Sequence, residues 1–105
     1  MSEVFVVCRK NGYCAIIEFS QGAFDFLNTR YVKISRTPDR IYIIGCEQKD
    51  FASKKVSTAG NRPGCVSIGG LVTSGYFPRD LLTKKRIPAT PCICNGKRAL
   101  YIKYR

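Results

Sequence analysis

Ala59-Gly60-Asn61-Arg62-Pro63-Gly64-Cys65-Val66-Ser67-Ile68 sets four turn formers in five positions directly ahead of a run that alternates as a half-buried strand does. Pro63 fixes one backbone angle and donates no hydrogen bond. The glycines reach conformations closed to other residues, so the turn is shaped by its own sequence. A tight turn therefore feeds a strand, and the chain on either side reads as further short strands and turns.

Upstream, the apolar run from Val4 to Val7 leads through Arg9 and Lys10 to Asn11-Gly12, a strong hairpin signal, and Tyr13 to Phe19 returns as the second strand. Ser20 can cap a short helix with apolar positions Ala23, Phe24, Phe26 and Leu27, which Asn28-Thr29 ends. Tyr31 to Ser35, the turn at Thr37-Pro38-Asp39 and Ile41 to Ile44 make a second hairpin. The polar residues from Cys46 to Ser53 read as a connection. Beyond it, Lys54 to Thr58 and Cys65 to Ile68 are strand candidates, and Gly69 to Gly75 reads as a glycine-bounded loop. Phe77 to Lys85 reads as a helix with Pro78 in its first turn and Lys84, Lys85 and Arg86 at its negative end. Ile87 to Pro91 is extended; Cys92 to Cys94, the Asn95-Gly96 turn and Ala99 to Tyr104 form the last hairpin.

The order strand, strand, short helix, strand, strand thus occurs twice, over residues 4–45 and 54–105, joined by 46–53. Cys14-Ala15-Ile16-Ile17 matches Cys65-Val66-Ser67-Ile68, Phe24-Asp25-Phe26-Leu27 matches Arg79-Asp80-Leu81-Leu82, and Ile41-Tyr42-Ile43 matches Leu100-Tyr101-Ile102. The matching positions of Tyr42 and Tyr101 favour core packing over base stacking. A half of about 50 residues cannot cover both faces of its own sheet, so each half needs the other. The expectation is a single compact domain over residues 1–105, mostly β with short helices and internally duplicated.

Gly60-Asn61-Arg62-Pro63 followed by Val66-Ser67-Ile68 resembles the Gly-Asn-Ser-Pro-Ala-Val-Arg-Ile-Pro segment of MazE-type antitoxins, members of the AbrB/MazE/MraZ swapped-hairpin superfamily. The resemblance implies two AbrB-like halves whose hairpins interleave into a β-barrel, a pseudo-dimer within one chain. It also implies two loops set against the major groove of double-stranded DNA. The first-copy loop would supply Arg9 and Lys10, and the second Lys54, Lys55, Asn61 and Arg62. Of these Arg62 is the sharpest, because a guanidinium on a turn held by Pro63 keeps the fork geometry that phosphates and guanine edges require.

The charge supports a polyanionic partner. The chain has 105 residues, and its 18 Lys and Arg against 7 Asp and Glu give a net charge of +11. Residues 1–50 carry seven basic and six acidic side chains, whereas residues 51–105 carry eleven basic and one acidic. A field concentrated in one half attracts phosphate backbones, and it adds Lys84, Lys85 and Arg86 to the candidate contacts; the plain alternative is a surface kept soluble by lysines.

Catalysis and cofactors have little support. The chain has no His, no phosphate-binding glycine loop and no carboxylate pair placed to share a substrate, so no enzyme activity and no cofactor are expected. Six cysteines without an export signal read as reduced thiols, and one close pair, Cys92 and Cys94, does not match zinc-ligand spacing. No apolar run approaches the ~20 residues that span a bilayer, so no membrane partner is expected. These features predict a cytoplasmic DNA-binding protein, a transcriptional regulator acting as a monomeric pseudo-dimer or a homodimer. Because Ser57-Thr58-Ala59 stand where the MazE-type segment has a basic pair and an aromatic, the alternative is a phage or mobile-element protein. Such a protein would bind and inhibit a host nucleic-acid-processing complex, or act as an antitoxin-like module with a protein partner.

Overall fold

Val6, Cys8, Ala15, Ile17 and Phe19 alternate with more exposed neighbours, and that alternation folds β1 (Phe5–Asn11) back onto β2 (Cys14–Phe19), with Val6 facing Phe19 and Cys8 facing Ile17. The computed structural model describes residues 3–11, 14–47, 53–57 and 64–104. Ser20 caps α1 (Gln21–Leu27) as its position predicts: its Oγ accepts from the Ala23 N–H at 3.1 Å and from the Phe5 N–H at 3.0 Å. Asn28, in the left-handed conformation, closes the helix. Ala23 and Leu27, one helical turn apart, are the buried face. β3 (Tyr31–Arg36) and β4 (Arg40–Cys46) then pair around the Thr37-Pro38-Asp39 turn, where Thr37 Oγ1 accepts from the Arg40 N–H.

The second half departs from the reading in two places. Residues 69–75, expected as a loop, contain α2 (Gly69–Thr73). Glycine disfavours helix, but Ile68 and Val72 are buried one turn apart and the Phe77 N–H returns to the Leu71 carbonyl, so burial overrides propensity. The helix expected over 77–85 is reduced to a single 3-10 turn at Arg79–Leu81. Phe77 is a buried plug, Lys84 sits at φ 63, and the Lys84 N–H donates to the Cys8 carbonyl at 3.1 Å instead of to a helical turn. Pairing with β1 has claimed these residues. Consequently the helix following the strand Cys65–Ser67 is α2, and the match of Phe24–Leu27 with Arg79–Leu82 does not correspond to equivalent helices.

Around these lie β5 (Lys54–Lys55), β6 (Cys65–Ser67), β7 (Arg86–Pro88), β8 (Thr90–Cys94) and β9 (Lys97–Lys103). The β8–β9 turn has Asn95 at φ 51 and Gly96 at φ 79, the pair of positive angles that a two-residue hairpin turn requires. The strands form a four-stranded sheet in the order β6-β2-β1-β7 and a five-stranded sheet in the order β5-β3-β4-β9-β8, with all pairings antiparallel. The fold is mostly β, as expected, but the sheets are not closed into a barrel. They meet at two seams. Ala89 carries the chain from β7 in one sheet to β8 in the other, and at the second seam Ser57 and Cys65 exchange two 2.8 Å hydrogen bonds in an isolated bridge. One bridging pair is not a ladder, so the ring stays open there.

The core lies between the inner faces. Val6, Ile17 and Val66 from the first sheet meet Val32, Ile41, Ile43, Leu100 and Ile102 from the second in one cluster. Fully burying each such side chain contributes roughly 1.5–3 kcal/mol. Gly64 is required by close approach: a Cβ there would lie 2.8 Å from the Phe24 ring and 3.0 Å from Val56. All six cysteines are free thiols. Among the described residues no helix is long and apolar enough to cross a membrane.

Candidate nucleic-acid interface

The ladder between β1 and β7 sets Val7 opposite Arg86, and the Lys84 N–H bonds to the Cys8 carbonyl. Lys84, Lys85 and Arg86 are thereby brought alongside Arg9 and Lys10, which lie about 75 residues away in the chain. Lys10, Lys84, Lys85 and Arg86 are exposed. Lys84-Lys85-Arg86 does not end a helix, so no helix dipole holds this charge. Arg86 rests over the Phe5 ring at 4.6 Å and lies 3.7 Å from Glu3 in a pair so exposed that it is worth little. Arg9 differs: it forms a half-buried ion pair with Glu18 on β2, which neutralises it locally.

The other residues singled out from the sequence do not join this group. Lys54 and Lys55 form β5 at the edge of the other sheet, opposite Val32 and Tyr31. Asn61 and Arg62 lie outside the described residues, as does most of the Gly60-to-Gly64 turn. Two further arginines are committed internally. Arg36 donates through Nη1 to the Gly75 and Tyr76 carbonyls at 3.0 and 3.1 Å, strapping β3 to the segment after α2. Arg98 donates to the Phe26 carbonyl at 3.1 Å and ties β9 to α1.

Tyr42 and Tyr101, expected in the core, are not there. They face each other across the β4–β9 ladder on the outer side of the five-stranded sheet, half-buried, with ring centroids 5.8 Å apart. Ile41, Ile43, Leu100 and Ile102 take the inner positions, and strand alternation forces the tyrosines outward. The Arg40 guanidinium sits 4.4 Å over the Tyr101 ring and donates to the Tyr42 hydroxyl at 3.3 Å, a contact that raises its pKa further above its ordinary value. The sequence signal was the polar half of the alternation: Arg40-Ile41-Tyr42-Ile43 and Leu100-Tyr101-Ile102-Lys103 place every aromatic or basic residue on one side.

Chemistry requiring an activated group is scarce. Burial pushes the Cys8 thiol up to about 12, so it stays protonated. Cys92 is also raised, by desolvation first and then by Cys94 beside it. A groove of about 740 Å³ between the end of α1 and the β8–β9 turn is lined by Asn28, Thr29, Cys46, Glu47 and Arg98 among others, and a thiol there has no imidazole partner because the chain lacks His. Among the described residues no group of three or more His, Cys, Asp or Glu is arranged to hold a metal. No family model, curated protein or solved structure matches the chain.

Proposed function

We propose that the protein is a small cytoplasmic DNA-binding protein, a transcriptional regulator of the AbrB/MazE-like kind with no catalytic activity. Lys10, Lys84, Lys85 and Arg86 hold the phosphate backbone of the duplex. The observation that carries this reading is that the β1–β7 ladder and the Lys84–Cys8 hydrogen bond bring the exposed run Lys84-Lys85-Arg86 beside the end of β1 that carries the exposed Lys10. In the same reading the chain is an internally duplicated swapped-hairpin pseudo-dimer. Its support is the register. An antiparallel pair lying on a two-fold axis sets the one residue on the axis opposite its own counterpart and reverses the order of its neighbours, and Ile16 faces Ser67 while Tyr42 faces Tyr101, positions that match in sequence.

The test is duplex binding by fluorescence anisotropy across a salt series. Wild type should weaken steeply with salt, and Lys84→Ala/Lys85→Ala should flatten the log–log slope by about 1.8, roughly 0.9 for each lost phosphate contact. Binding insensitive to salt, or a double variant that binds as wild type does, would refute the reading.

A further inference from the structure

We propose that the outer face of the five-stranded sheet is a second, separate nucleic-acid site, one that takes single-stranded DNA by stacking unpaired bases on Tyr42, Tyr101 and the Arg40 plane. This goes beyond the duplex reading and uses none of its four cations. The Tyr42–Tyr101 pair sits at the middle of the β4–β9 ladder, on strands whose opposite face is the core. Lys103 lies directly across from Arg40 in the register, and Lys33 shares the outward side one strand further on. β3, β4, β8 and β9 contain no Asp or Glu at all, and Asp39, in the turn beside Arg40, is exposed and 3.8 Å from its Nε.

A cross-strand aromatic pair by itself explains why the two rings touch. It does not explain a sheet face whose every charged position is cationic. A polyanion with flat apolar surfaces answers both features: phosphates meet the exposed Lys103, and bases meet the rings and the guanidinium. Duplex DNA does not fit, because its bases are already stacked on one another. The one ligand class that presents free base faces on a phosphate chain is a single strand, and taking that strand as DNA rests on the duplex reading proposed above.

The experiment uses the full chain and two probes of equal length, an oligothymidylate and an abasic deoxyribose-phosphate oligomer. The chain has no Trp and six Tyr, so tyrosine emission reports directly on stacking. The oligothymidylate should quench that emission and bind roughly tenfold or more tighter than the abasic oligomer, since each stacked base contributes severalfold or more. Tyr42→Ala and Tyr101→Ala should each weaken oligothymidylate binding by roughly 5- to 100-fold while leaving abasic and duplex binding unchanged, and Tyr101→Phe should retain binding. Equal affinity of wild type for the two probes overturns the proposal without reliance on any variant. So does an undiminished Tyr101→Ala, and tighter binding of an oligouridylate overturns the assignment to DNA. Lys84→Ala/Lys85→Ala, which tests the duplex reading, should leave the preference for oligothymidylate over the abasic oligomer intact, so the two proposals fail separately.

Discussion

The outer faces of the two sheets each set an arginine over an aromatic ring, but they surround it differently. On the four-stranded sheet Arg86 lies over Phe5 with Glu3 nearby, and Arg9 is paired with Glu18 two strands in. A shallow cavity of about 400 Å³ on that face is lined by both carboxylates. On the five-stranded sheet Arg40 lies over Tyr101, and the carboxylate near it, Asp39 at 3.8 Å, lies in the exposed turn, while β3, β4, β8 and β9 hold none. The lesson is that net charge alone does not locate an anion-binding surface. What counts is whether a cation's field is already cancelled by a neighbour on the same face, and among the described residues at the rim of the first sheet Lys10, Lys84 and Lys85 have no such carboxylate beside them, whereas Arg86 has Glu3 and Arg9 has Glu18.

The largest effect should come from undermining the platform on which the tyrosines stand. Leu100 is fully buried directly opposite Ile43, and Leu100→Ala should cost about 2–5 kcal/mol in chemical denaturation. A loss below that range would mean that the two sheets pack less tightly than their burial implies. A smaller change would make the first face resemble the second. Glu18→Gln releases Arg9 from its partner, and the salt slope of duplex binding should steepen by about 0.9, the increment for one added phosphate contact. An unchanged slope would place Arg9 out of reach of DNA altogether.

The smallest effect concerns the inner side of β1. The folded state holds the Cys8 thiol up at about 12 against 9.0 for an ordinary thiol. The unfolded chain therefore loses its proton first. The contribution of Cys8 is complete below pH 9 and is lost as pH rises from there toward 12. Thermal melts should show that alkaline decline in wild type and a shallower one in Cys8→Val, with the two traces parallel at neutral pH. Identical alkaline limbs would mean that Cys8 ionises freely in the folded protein.

Much of the first half was legible because its signals are local. Ser20 and Thr37-Pro38-Asp39 each dictate backbone geometry within a few residues, and the Asn11-Gly12 signal, whose Gly12 lies outside the described residues, agrees with the β1–β2 ladder that begins at Asn11 and Cys14. The second half was harder because its segments are decided by distant partners. Gly69-Gly70 reads as a loop until Ile68 and Val72 find the core, and Phe77 to Lys85 reads as a helix until β1 draws the Lys84 backbone onto Cys8. The candidate site divided in the same way. Lys84-Lys85-Arg86 was visible as a charge run, but its neighbours Arg9 and Lys10 were joined to it only by the ladder. That Glu18 would neutralise Arg9 depended on a cross-strand diagonal no linear pattern specifies.

By itself the sequence determined the strand-rich character, the hairpin turns, the basic excess and the matched segments around Ile16 and Ser67 and around Tyr42 and Tyr101, because propensity, turn chemistry and charge belong to residues in isolation. Only the tertiary structure decided that those matched segments would lie side by side, that the tyrosines would face outward, and that the second seam between the sheets would hold one bridge instead of a closing ladder. Those outcomes depend on which apolar stripe each strand shares with a partner far away in the chain. A period-two alternation states that one face is buried; it does not state against what.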